Sequence, residues 1–472
     1  MLNRNTGTQD TSAPRTLAVV AAATLLVLAV FSMTVVTIGE TAQEFGSSTS
    51  WQTWALGGMS LGLASALLSV GALADRFGRR RVFVLSSAAL AASTALAAAA
   101  PSMSVLVIAR VLEGVAGAGV LAAGLGLLGH AFPSGHARTH ATGIWGAALG
   151  AGIAVGPLVG ATLGRVGDWR TGYWAQAAAI AVLATAALSL AESRPAGEPR
   201  PFDPAGAAAI AIAMTALTAG LTSANSSWTS AATLALLLGG VAAFMAFLAI
   251  ETGKREPMLN LELFRRPLFV ASTSGAAITG LATVGIMSHL ASVLVVGLST
   301  SVLAAAGILA VWSVTSTVVA FQARRLPARI GASERLIAGL VTSGVGAALL
   351  AGLATSSSWV HLAPGLFIAG VGSGLANAAL GRLAVESVPH ADAALGSGAN
   401  NTARYLGSAL GIALVAILLT GGGSGATGIV GGWNHAALVA AFLNIAGAAW
   451  IASSRVFSAR ATHSRASAMS EG

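Results

Sequence analysis

Arg110 and Glu113 stand three residues apart in a run, 104–128, that carries no other charge. A charge at the middle of a membrane costs about 2.5–3.5 kcal/mol even on mild insertion scales, so such a pair must face protein or a water-filled cavity. On a helix, a spacing of three puts both side chains on one face. Two chemistries fit: a self-neutralising structural pair, or a carboxylate that takes up and releases a proton under the control of the arginine. Burial favours the neutral acid and the adjacent guanidinium favours the anion, so opening the site to water or substrate would tip the balance. Arg404 lies in another apolar run, 395–419, with no acid beside it. A lone buried cation needs a backbone carbonyl, a carboxylate across a cavity or an anionic substrate group, and structural pairing and substrate contact both remain open. His289, in the run 268–296, is either a second group titrating near neutral pH or an interfacial residue near a helix end. Arg110 and Arg404 against Glu113 leave one net positive charge. That suits neutral, weakly basic or anionic amphiphiles better than polyvalent cations.

Enzyme chemistry finds no foothold. No HExxH or CxxC pattern occurs, and the dipeptide Gly253–Lys254 is followed by Arg255 where a phosphate-binding loop would need Ser or Thr. The chain has no cysteine, hence no disulfide, thiolate or Cys-ligated metal. No catalytic residue, metal site or cofactor is expected. Without an ATP site, any transport must run on an ion gradient or on the substrate's own gradient.

The elements that position these residues are membrane spans. Of 472 residues, 55% are hydrophobic and 9% charged, against about 25% charged in soluble domains. The net charge of +9 sits in short loops between apolar runs and points to a lipid bilayer, not to nucleic acid. A span needs about 20 apolar residues. By that measure about fourteen occur, near 17–38, 51–72, 82–100, 104–128, 139–163, 172–191, 205–223, 229–250, 268–296, 302–322, 334–354, 360–382, 395–419 and 434–454. The first is too long for a signal-peptide core and is read as a retained span.

Basic residues fall in alternate loops, which places both termini and the turn Gly71–Phe83 in the cytoplasm. Trp51, Trp54, Trp169, Trp174, Trp228, Trp359 and Trp433 fall at the opposite ends, as an interfacial belt would require. Trp145, Trp312 and Trp450 do not fit that belt.

Six stretches resemble a known family. The turn GALADRFGRRRVF, with Gly71, Asp75, Arg76, Gly78 and Arg79, resembles the loop between helices two and three of major facilitator superfamily transporters. Leu106, Arg110, Glu113 and Gly114 resemble the antiporters' L-x-x-x-R-x-x-Q-G segment, with Glu113 in place of Gln. GIAVGPLVG, with Gly152, Gly156, Pro157 and Gly160, looks like the glycine-proline motif of exporters. Such glycines make a smooth face, and Pro157 removes one backbone hydrogen bond, suiting a sliding contact between bundles. DWRTGYW at 168–174, the loop 251–266 and NNTARYLGSALG, which opens with Asn400 and Asn401, resemble the fourteen-span drug:proton antiporter branch. A weaker internal echo, Leu326, Arg329 and Gly331, repeats the offsets of Leu73, Arg76 and Gly78, with Ala328 in place of Asp75.

The resemblance implies an all-α membrane protein of the major facilitator fold, with two six-helix bundles plus two extra helices. The expected division is a cytoplasmic tail 1–16, a bundle 17–191, a linker 192–266 holding the extra helices, a bundle 267–454 and a cytoplasmic tail 455–472. It implies a plasma-membrane exporter of amphiphilic small molecules, drugs or antibiotics, working by alternating access in exchange for protons, as a monomer. Gly71, Asp75, Arg76, Gly78 and Arg79 would latch the bundles, and Arg110 with Glu113 would couple protons. Ser32, Trp145, His289, Asn400, Asn401 and Arg404 are candidates for the substrate cavity. One departure stands out: the branch carries an acid in span one, and Ser32 takes its place here. An uncoupled or narrow-specificity metabolite exporter of the same fold is therefore an alternative, and a non-transporting membrane receptor is a more distant one.

Overall fold

A computed structural model describes residues 12–132, 135–194, 203–224, 227–254, 257, 260–327, 329–388, 393–423 and 425–470. Apolar runs become helices because lipid offers backbone N–H and C=O groups no partners, so each run must satisfy them internally. In chain order the long helices are α1 (Ser12–Glu44), α2 (Thr49–Phe77), α3 (Arg79–Ala98), α4 (Met103–Ala131), α5 (Gly135–Leu163) and α6 (Trp169–Ala187). Next come α7 (Pro204–Ala224) and α8 (Ala231–Gly253), then the rod α9 (Pro267–Gly297). The last are α10 (Val302–Gln322), α11 (Ala332–Leu349), α12 (Ala363–Glu386), α13 (Ala393–Gly421) and α14 (Gly425–Ser470). Among the described residues, twelve helices are long and apolar enough to cross a membrane. The fourteen spans expected are not all matched, because α6 and α11, long enough but less apolar, fall outside that set. α14 runs on through the segment expected as a tail, and residues 1–11 lie outside the described ones.

Polar side chains start several helices where the runs begin. Asp168 accepts from the Arg170 N–H at 2.9 Å at the head of α6, and Ser301 accepts from Ala304 at 3.2 Å at the head of α10. α9 departs from the regular pitch with π turns over Thr279–Val284 and Val293–Gly297. Gly280 and Gly285 lie there against the backbone of α13, where an added Cβ would come within 2.0 Å of the Arg404 carbonyl and 2.8 Å of Gly411. Such insertions re-aim a helix face locally.

The packing repeats itself. α1 lies on α5, α2 and α3 on α4, and α3 on α6. Eight helices later α9 lies on α13, α10 and α11 on α12, and α11 on α14. The two sets meet through α2 against α13 and α5 against α10. The α7–α8 hairpin rests on α2 and α13 through α7, with Ile210, Met214 and Phe247 buried against Leu61. At the end away from Gly78, one core cluster joins both sets, holding Met33, Leu106, Ile286, Leu290 and Trp312. Outward faces remain apolar: Leu238, Val241 and Met245 of α8, Phe442 and Trp450 of α14 are all exposed. A water-facing surface would not carry such a belt, whereas lipid requires it. Trp169 and Trp433 correct the interfacial belt, since both are wholly buried. Trp433 donates to the Leu350 carbonyl at 3.0 Å.

Candidate functional site

The arginine at position 110 ties three helices together. Its side chain and that of Glu113 are both fully buried, and Nη1 meets Glu113 Oε2 at 2.5 Å. Nη1 also donates to the Val30 carbonyl at 3.1 Å, Nη2 to Phe31 at 3.2 Å and Nε to Ala55 at 3.3 Å. A rigid guanidinium fork can serve acceptors in several directions at once, which an ammonium cannot do with the same geometry. Small residues let the helices come this close. Gly58 of α2 abuts Arg110 Cβ, and a Cβ on Gly114 would stand 2.2 Å from the Met59 carbonyl. The second carboxylate oxygen, Glu113 Oε1, has no well-formed hydrogen bond, although the Thr94 hydroxyl of α3 faces the carboxylate.

The Gly71–Phe83 turn is built within the first set of helices. Arg79 Nε and Nη2 both lie 2.9 Å from Asp75 Oδ1, and Nη1 donates to the Gly126 carbonyl of α4 at 3.0 Å. Gly78 holds φ at +105°, open to glycine, and an added Cβ would strike the Glu192 carboxylate at 2.8 Å. That carboxylate accepts from the N–H groups of Arg80 at 2.8 Å and Arg81 at 3.2 Å, capping α3. Arg76 lies over the Phe77 ring and Gly71 near Ala122. On this side of the molecule, α2 meets α13 through apolar groups, Leu68 against Leu395 and Ala399. Glu192 escaped the sequence reading because nothing local links it to a turn more than a hundred residues earlier.

The glycine-proline face lies elsewhere than expected. Added Cβ atoms on Gly152 and Gly156 would meet the Leu25 and Ala29 carbonyls at 2.3 Å, and one on Gly160 would meet Met33 at 2.7 Å. These glycines seat α5 on α1 of the same set, not on the opposite set. Gly150 is the one that meets α10, at Thr317. Pro157 sits inside α5. The same device recurs where α13 meets α9: Gly407 and Gly411 press on the Ala277 and Leu281 carbonyls. The matching four-residue spacing was the available signal.

The remaining candidates separate. Ser32 donates to the Leu28 carbonyl of its own helix at 2.9 Å, with the Gly152 carbonyl of α5 3.3 Å away, so it lies in the α1–α5 contact and not in a cavity. Asn400 donates to Ser272 Oγ at 2.9 Å and ties α13 to α9. Asn401 Oδ1 accepts from Arg404 Nη2 at 2.7 Å, and the Arg404 guanidinium lies 5.2 Å from the Tyr405 ring centre. The lone arginine thus finds neutral partners on its own helix, and its Nε stays unpartnered. Tyr405 packs edge-on to Phe31 across the two sets, with its hydroxyl buried and unpartnered. Trp145 likewise buries an unpartnered Nε1. His289 is buried inside α9, not at an interface, with Nδ1 3.3 Å from the Gly285 carbonyl. Among the described residues no cluster of His, Asp and Glu could hold a metal.

A twice-repeated helical framework around a buried ion pair defines a multi-span membrane transporter. The Major Facilitator Superfamily profile matches residues 20–412, and the chain belongs to that family, whose members are transporters and not enzymes. The chain is 27% identical to the multidrug efflux pump LfrA of Mycolicibacterium smegmatis, over 80% of this chain and 75% of that one. It is 31% identical to the cephamycin export protein CmcT of Amycolatopsis lactamdurans, over 90% and 88%. In fold it is similar to the human organic anion transporter MFSD10, with a TM-score of 0.65 at 16% identity, covering 93% of this chain and 99% of the other.

Proposed function

We propose that the chain exports amphiphilic small molecules, of the drug or antibiotic kind, across the plasma membrane by alternating access in exchange for protons. Glu113 carries the proton, Arg110 controls its release, and the Gly71–Arg79 turn latches the two bundles, 17–191 and 267–454. Both termini lie in the cytoplasm and the monomer suffices. One observation carries the reading: a fully buried carboxylate has one oxygen held by Arg110 and the other, with Thr94 nearby, without a well-formed hydrogen bond. A purely structural pair would satisfy both oxygens. Arg404, Tyr405 and Phe31, where α13 meets α1, supply a cation, an unpartnered hydroxyl and aromatic faces for substrate. The names borne by the relatives support a drug or antibiotic cargo.

Ser32, in place of the acid of the first span, favours a second reading, an uncoupled exporter of narrow specificity. Efflux-deficient bacterial cells preloaded with Nile red separate the two. Wild type, Asp75→Asn and Glu113→Gln are compared with and without a protonophore. Efflux stopped by the protonophore and lost in Glu113→Gln supports proton exchange. Efflux indifferent to the protonophore favours the second reading.

A further inference from the structure

α1 carries a polar stripe on an otherwise apolar helix. Thr34, Thr37, Thr41 and Glu44 follow one another at intervals of three and four, hence on one face. α6 answers with Trp169, Tyr173 and Gln176, spaced by four and three. The two stripes meet. Trp169 Nε1 donates to Glu44 Oε2 at 2.6 Å, and Tyr173 and Thr34 share a hydrogen bond of 2.8 Å between their hydroxyls. Thr41 donates to the Thr37 carbonyl at 2.8 Å. Thr34, Thr37, Thr41, Tyr173 and Gln176 are all buried. The Tyr173 phenol lies within the field of both Arg110 and Glu113.

This seam keeps open valences. Thr37 Oγ1, Gln176 Oε1, Glu113 Oε1 and Thr94 Oγ1 are buried without a well-formed hydrogen bond, the Thr37 hydroxyl facing Tyr173 and the Thr94 hydroxyl facing Glu113. A buried polar atom left unsatisfied costs about 1–3 kcal/mol, so a native protein pairs such atoms with water. One at the carboxylate itself and three on polar side chains where Val or Leu would fit call for a short file of water molecules. From Glu44 to Thr34 the helix rises about 15 Å, so the seam reaches from the end of α1 to the depth of the ion pair.

We propose that the α1–α6 seam is a hydrated proton path inside the first bundle, leading from Glu40 and Glu44 to Glu113 without crossing the face where the two halves meet. The proposal rests on Glu113 being the proton carrier. A proton taken from outside water passes along water, the Thr37 hydroxyl, the Tyr173–Thr34 pair and water again to Glu113 Oε1. Each hydroxyl oxygen gains one proton and releases its own. No electrons move, and the net change is one neutralised carboxylate. The charged and titratable groups along the way are Glu40, Glu44, Asp168 and Arg170 at the mouth, Tyr173 midway, and Arg110 at the far end. Such a path leaves the contact face free for substrate, and it needs no acid at Ser32.

The test is time-resolved infrared spectroscopy of the purified full chain in liposomes after a downward pH jump, following the carbonyl band of protonated carboxyl groups. The wild-type band contains a component that Glu113→Gln removes. Tyr173→Phe and Thr37→Val slow that component at least tenfold while its final amplitude is kept, and Thr37→Ser restores the rate. Unchanged rates in both Tyr173→Phe and Thr37→Val overturn the path but leave Glu113 as carrier. A band that survives in Glu113→Gln overturns the carrier and the path with it. If Tyr173→Phe does not fold, Thr34→Val tests the same link.

Discussion

Arg110 and Glu113 close a 2.5 Å ion pair in which the cation has three further acceptors and the anion has no well-placed donor on its second oxygen. The asymmetry decides how each substitution should behave. Arg110→Ala strips a buried carboxylate of its partner and orphans the carbonyl contacts of Val30, Phe31 and Ala55. Breaking a buried pair from one side costs about 3–5 kcal/mol. The variant is expected to unfold in detergent well below wild type in a thermal melt. Arg110→Lys should recover little of that, because one ammonium cannot span α1, α2 and Glu113 together. A lysine variant as stable as wild type would show that charge alone, without the fork, holds the three helices.

Two glycines on α5 should respond in opposite ways to the same change. Gly156→Ala places a methyl group 2.3 Å from the Ala29 carbonyl, on backbone that cannot rotate away. Overpacking of this kind costs about 1–3 kcal/mol, so a lower melting temperature and weaker transport are expected. Gly146→Ala meets nothing within 4 Å and should be neutral or stabilising. Equal losses at both positions would mean that α5 needs glycine for bending and not for its seat on α1.

The helices were legible because the membrane makes every span a long apolar run, and the buried charges were legible because they interrupt such runs. What Arg110 touches was not, since carbonyls on α1 carry no side-chain signature. The direction of the Gly152–Gly160 face also stayed hidden: a smooth face says that something packs closely, not which helix does. Trp169 looked interfacial by position, but its hydrogen bond to Glu44 draws it into the α1–α6 seam. A signal did exist there, the three-and-four spacing of Thr34, Thr37, Thr41 and Glu44. α6 and α11 fall outside the twelve spans not for want of length, at 19 and 18 residues, but because each opens on polar residues, Arg170 and Thr171 in one and Ser333, Glu334 and Arg335 in the other.

Glu192 should matter to the Gly71–Phe83 turn although it lies outside it. Its two oxygens hold the first amides of α3. Loss of such a cap costs about 0.5–2 kcal/mol. Glu192→Ala should therefore raise amide exchange at Arg80 and Arg81 in hydrogen–deuterium exchange, with little effect on α4. Glu192→Gln, which keeps one acceptor, should fall between. Unchanged protection in Glu192→Ala would show that Arg79 and Asp75 secure the turn by themselves.

The α7–α8 hairpin is clasped at its base by Asp203, which pairs with Lys254, the only lysine in the chain, and accepts from the Gly206 N–H at 2.8 Å. Burial pushes the Asp203 carboxyl up, but the Lys254 ammonium and the Gly206 N–H outweigh it and hold it below its usual value of 3.8. A carboxyl depressed on folding contributes stability above its unfolded pKa and loses it as pH falls through the folded one. The clasp should therefore be constant from about pH 5 to pH 8 and fail only below about pH 4. Since every other carboxylate also protonates in acid, the informative quantity is the difference between wild type and Asp203→Asn. That gap in melting temperature should be flat down to about pH 5 and close below about pH 4. A gap that closes between pH 5 and pH 7 would place a shared proton between Asp203 and its neighbour Glu251, and the clasp would then release near neutral pH.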